Sequence, residues 1–169
     1  VAQGGFADHV MVPHSRYLFD KGDVDDSLAS TYACSGLTAY SALKKIGELT
    51  EGDEVVLIGA GGVGSMALQI ALAQGLKPIV VDVDENKLTL AKELGAKAVF
   101  NASERESVKA IKKLSEGGAF AVIDFVGSEA STGFGLGCLR KGGKLIIVGL
   151  YGGALNMPLP FIPMSARII

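Results

Sequence analysis

Cysteine and histidine are both scarce in this chain. Cys34 and Cys138 are its two cysteines, and His9 and His14 its two histidines. The cysteines stand far apart, and the first residues, Val1-Ala2-Gln3-Gly4-Gly5, lack the basic start and apolar core of a secretory signal. The pair therefore reads as reduced thiols in a cytoplasmic protein rather than as a disulfide. Excess charge is also missing: 16 basic residues face 18 acidic ones, for a net charge of -2. With no basic cluster, neither nucleic acid nor an anionic membrane surface is expected as a partner. No fully apolar run exceeds a few residues, so a transmembrane helix is not expected. What the chain does have is apolar content, 49% of its residues, and a mean hydropathy of +0.37. At 169 residues it is one domain long. That apolar content is rich for a free-standing domain and points to a surface covered by something else.

Glycine is abundant, with 23 residues, and six positions carry the strongest signal. The apolar run Val55-Val56-Leu57-Ile58 leads into Gly59-Ala60-Gly61-Gly62-Val63-Gly64. A helical pattern follows, and then Ile79-Val80-Val81 ends on Asp82. G-x-G-x-x-G alone is weak, but between a strand and a helix, with an acid about 20 residues on, it is a dinucleotide-binding fingerprint. Gly59 permits the tight turn, Gly61 lets the backbone approach a pyrophosphate, and Gly64 lets helix and strand pack closely. The helix N-terminus offers free N–H groups to that pyrophosphate. Asp82 would accept hydrogen bonds from the adenosine ribose hydroxyls.

From Asp53 onward strands and helices alternate, which predicts an α/β fold with a parallel sheet covered on both faces. Strands are expected at 54–58, 77–82, 98–100, 119–126 and 144–148. The first helix carries Val63, Met66, Ala67 and Ile70 at helical spacing and stops at Gly75. A second runs over 85–94, and a third is opened by a Ser103/Glu106 capping box. A fourth begins at Ser128 and reaches about Leu139. Right-handed crossovers make this a doubly wound sheet with its ligand crevice at the carboxyl ends of the strands. Residues 1–34 read instead as extended pieces, Val10-Met11-Val12 and Tyr17-Leu18-Phe19, then a short helix near Asp26. An apolar strand begins at Arg167-Ile168-Ile169, where the sequence stops. A six-stranded sheet would thus have a truncated last strand.

Several motifs in order match one family. Gly5-Phe6-Ala7-Asp8-His9 precedes Val12-Pro13-His14, and Cys34-Ser35-Gly36-Leu37-Thr38-Ala39-Tyr40 follows. The loop Gly59 to Gly64, Val81-Asp82-Val83 with Lys87, Asp124-Phe125-Val126-Gly127 and Val148-Gly149-Leu150 complete the set. The chain resembles the zinc-dependent medium-chain alcohol dehydrogenases, most of all their bacterial and archaeal NAD-dependent secondary-alcohol type. The resemblance implies a middle segment of a longer chain. Residues 1–34 would be the edge of an N-terminal catalytic (GroES-like) domain, and 35–169 an incomplete Rossmann domain binding NAD.

It also implies roles for residues. Taken alone, a single cysteine near an apolar helix start is more often a small core residue. In the family's Cys-x-x-x-Thr pattern, however, Cys34 occupies the place of a catalytic zinc ligand, a thiolate beside two ligands from elsewhere and an open position. His9 and His14 match no ligand position and read as surface or structural residues, and Cys138 reads as core packing. Thr38 would approach the nicotinamide, or cap its own helix turn. Lys87 would reach the adenosine ribose, or be a solvated helix lysine. Phe125 and Val126 would line the adenine side and Val148, Gly149 and Leu150 the nicotinamide side. Gly59, Gly61, Gly62, Val63 and Gly64 would hold the pyrophosphate.

Asp82 with its Val83-Asp84-Glu85-Asn86 continuation favours NAD over NADP, because a carboxylate repels a 2′-phosphate and no arginine follows. The implied reaction is hydride transfer between a secondary alcohol or ketone and NAD, in a homo-oligomer (dimer or tetramer). The apolar, proline-punctuated segment Leu155-Asn156-Met157-Pro158-Leu159-Pro160-Phe161 reads as a dimer contact or as a surface loop. This span holds one metal ligand and no proton relay, so turnover by the span alone is not expected. A zinc-free quinone or enoyl reductase of the same superfamily would typically lack Cys34 and prefer NADPH. A non-catalytic NAD-sensing module would need neither residues 1–33 nor the Cys34–Thr38 segment. A methyltransferase loop would not show this dinucleotide spacing.

Overall fold

A computed structural model of the chain describes residues 4–47, 49–152 and 162–169. Six parallel strands form one sheet: β1 (Glu54–Ile58), β2 (Lys77–Asp82), β3 (Ala98–Asn101), β4 (Ala119–Asp124), β5 (Leu139–Ile147) and β6 (Arg167–Ile168). Their order is β3-β2-β1-β4-β5-β6, the doubly wound arrangement. Strand order reverses between β1 and β4, and that reversal opens a crevice at their carboxyl ends. The short β6 pairs Arg167 with Lys144 and Ile168 with Leu145. The expected beginning of a sixth strand is thus present.

Two apolar layers sandwich the sheet because strands buried on both faces present side chains alternately to each. On one face Val55, Leu57, Val80, Ala121 and Ile123 pack against α2 (Leu37–Ile46), α3 (Gly62–Ala73) and α4 (Glu85–Glu93). On the other Val56, Ile58, Ile79, Val81 and Val122 pack against α5 (Ser107–Leu114) and α6 (Glu129–Cys138). Leu57 and Ile123 are fully buried. Truncating either to alanine costs about 2–5 kcal/mol. Cys138 lies in the second layer, where burial pushes its thiol pKa up to about 12. It is a core residue, as expected from the sequence.

Several boundaries differ from expectation for identifiable reasons. Ser103 and Glu106 form no capping box. Asn101 Oδ1 accepts the Ser103 N–H at 2.9 Å, which turns the chain at the end of β3 and delays α5 until Ser107. β4 stops at Asp124 rather than Val126, because the Asp124 side chain captures the next two free N–H groups. β5 begins five residues early, at Leu139, and shifts register between Ala119 and Ala121.

Before the sheet, α1 (Asp26–Thr31) runs through a π-helical turn, Tyr32–Gly36, into α2. Tyr17-Leu18-Phe19 is not an extended run: Ser15–Tyr17 is a turn of 3₁₀ helix capped by His14, whose Nδ1 accepts the Arg16 N–H at 3.0 Å. Val10-Met11-Val12 forms no strand. No residue from 4 to 38 is buried, and Phe6, Met11 and Phe19 are almost fully exposed. The segment Leu155 to Phe161 lies outside the described residues. Among those described, no helix is long and apolar enough to cross a membrane.

Candidate coenzyme crevice

The glycine turn sits at the switch point, and two of its glycines, Gly59 and Gly64, leave no room for other side chains. Gly59 follows β1 with φ +92°, a left-handed backbone that disfavours any Cβ. At Gly64 a Cβ would stand 1.8 Å from the Gly59 carbonyl oxygen, so close helix–strand approach requires glycine there. Gly61 and Gly62 are the opposite case, since a Cβ on either meets no heavy atom within 4 Å. The space above them is open, and α3 begins there without a side-chain cap. Its first N–H groups have no intrahelical partner and face that space with the positive end of the helix dipole. Val63 is half-buried and packs on the first apolar layer.

Asp82, at the end of β2, is 9% exposed and does more than its sequence context shows. Its Oδ2 accepts the Ala60 N–H at 2.7 Å, tying the second strand to the glycine turn. Oδ1 accepts the N–H groups of Val83 and Asp84 at 2.8 and 3.0 Å. A carboxylate offers about four acceptor positions, so Oδ2 keeps one open. Lys87 Nζ lies 3.8 Å from Oδ1. Asp84 and Glu85 add negative charge, and Glu85 is engaged by the Asn101 side-chain amide. That open position suits a ribose hydroxyl, and the acidic surroundings of Asp82 oppose a 2′-phosphate.

A cavity of about 300 Å3 opens beside Asp82. Gly59, Asp82 and Val83 form one wall, and Val126, Ser128, Ser131 and Phe134 another. Val126 lines this cavity. Phe125 does not line this cavity: it packs on the α2–α3 face, with its ring near Gly64. Ser128, Ser131 and Phe134 were not foreseen as lining residues. The reading of Ser128 as a helix cap was the one available signal.

Val148, Gly149 and Leu150 follow β5 and are held by a backbone crossing. A Cβ on Gly127 would meet the Gly149 carbonyl oxygen at 1.8 Å, and one on Gly149 would meet the Val126 carbonyl carbon at 2.2 Å. Val148 and Gly149 N–H groups both donate to the Asp124 carbonyl, at 2.8 and 3.1 Å. Leu150 beyond them is 96% exposed. Thr38, in the first turn of α2, is half-buried and does not line the cavity. Cys34 is exposed within the π-helical turn, where the Leu37 N–H reaches back to the Tyr32 carbonyl. Such turns are frequent at functional sites. Among the described residues, however, no three His, Cys, Asp or Glu side chains gather as a metal site. Cys34 can supply one ligand, and the residues present do not complete a zinc site.

A parallel sheet in this order, with a glycine turn at its switch point, defines the Rossmann class of α/β proteins. A family profile described as zinc-binding dehydrogenase matches residues 62–168, and the chain belongs to that family. It is 41% identical over 165 residues to an NAD-dependent alcohol dehydrogenase of Sulfurisphaera tokodaii, covering 96% of this chain and 47% of that one. A Sulfolobus acidocaldarius NAD-dependent alcohol dehydrogenase is 45% identical over 155 residues, covering 90% and 44%. Among solved structures, the alcohol dehydrogenase of Aeropyrum pernix superposes with a TM-score of 0.75 at 35% identity, covering 86% of this chain and 44% of that one. The D-arabinose dehydrogenase of Sulfolobus solfataricus superposes with a TM-score of 0.81 at 26% identity, covering 94% and 50%. The chain therefore spans about half the length of the relatives it matches.

Proposed function

We propose that this chain provides the coenzyme crevice of an NAD-dependent alcohol dehydrogenase that moves hydride between a secondary alcohol or ketone and NAD. The observation that carries the reading is the Asp82 carboxylate beside the open glycine turn, with an acceptor position free and the acidic Asp84 and Glu85 following it. NAD, when bound, supplies the hydride acceptor, while the protein orients it and excludes water. In this reading Asp82 accepts from the adenosine ribose, and Lys87 sits beside it. Gly61 and Gly62 admit the pyrophosphate to the N-terminus of α3. The Gly127–Gly149 crossing fixes Val148 to Leu150 beneath the nicotinamide.

Cys34 enters as one ligand of a zinc whose other ligands lie outside this span. The span alone is therefore expected to bind NADH and to oxidise no alcohol. The test is NADH formation from propan-2-ol and NAD, by the 169-residue span and by the full-length chain. Turnover by the full-length chain only supports the reading, turnover by the span alone overturns the assignment of an incomplete site, and turnover by neither removes the alcohol. The same reading makes the protein a homo-oligomer. Sedimentation as a monomer at every concentration would contradict that.

A further inference from the structure

No further inference is drawn: the strongest candidate, the apolar groove that Tyr32, Leu37, Tyr40, Met66 and Ile70 line between the π-helical turn, α2 and α3, is an unpartnered face, and nothing in the structure shows what covers it.

Discussion

The two edges of the sheet carry cavities of opposite character. At the carboxyl edge the cavity is about 300 Å3, while at the amino edge a cleft of about 690 Å3 is lined by Lys77, Lys97, Arg140, Asp53, Glu54 and Glu116. The larger cleft carries as many acids as bases, and four of these six side chains are engaged within the chain. Lys97 pairs with Glu54, the Arg140 guanidinium stacks over the Phe120 ring at 5.1 Å, and Asp53 accepts from Thr50. The smaller cavity adjoins helix N–H groups with no intrahelical partner, a carboxylate with an acceptor position to spare and a turn that is open above Gly61 and Gly62. What distinguishes the two cavities is unspent hydrogen-bonding capacity rather than volume.

Substitutions at the two edges can break that contrast. The largest effect is expected from Gly64→Ala, whose methyl would overlap the Gly59 carbonyl. It should cost about 3 kcal/mol or more of stability and remove NADH binding. Thermal unfolding and fluorescence titration would show both losses together. Gly61→Ala should separate them. Its Cβ meets nothing in the protein and its φ of -72° suits alanine, so the unfolding midpoint should hold. The methyl would occupy pyrophosphate space, and NADH affinity should fall about 10- to 100-fold. An unchanged affinity would mean that the pyrophosphate does not lie over the glycine turn. Lys87→Ala removes a half-exposed cation near Asp82 and should weaken NADH by about twofold. Arg140→Ala, at the amino edge, should leave NADH affinity unchanged. A loss there comparable to Gly61→Ala would collapse the contrast between the edges.

Much of this architecture is legible in the sequence because its signals are local. Glu54–Ile58 and Lys77–Asp82 are apolar runs bounded by turn residues, and both strands form as expected. The glycine turn is equally local in its main constraints, the positive φ of Gly59 and the contact of Gly64 with the Gly59 carbonyl within one strand–turn–helix unit. Groups with two uses are harder to read. Asp82 reads as a ribose acceptor, but its tie to Ala60 exists only once β2 lies beside β1. Asp124 ends an apolar strand, and its pattern alone does not show that Ser131 and Thr132, seven and eight residues on, fold back onto it. Phe125 was assigned to the crevice by position, yet its side chain packs on the opposite layer from Val126. The Ser103/Glu106 spacing fits a cap equally well, but Asn101 reaches the Ser103 N–H first.

The central claim is that Asp82 and the open glycine turn make this edge of the sheet an NAD site. It is tested most directly by titrating the protein into NADH and, separately, into NADPH, following nicotinamide fluorescence. The account predicts saturable binding of NADH with NADPH at least about tenfold weaker, because a 2′-phosphate would meet the Asp82 carboxylate and its acidic neighbours. Equal or tighter binding of NADPH would contradict it.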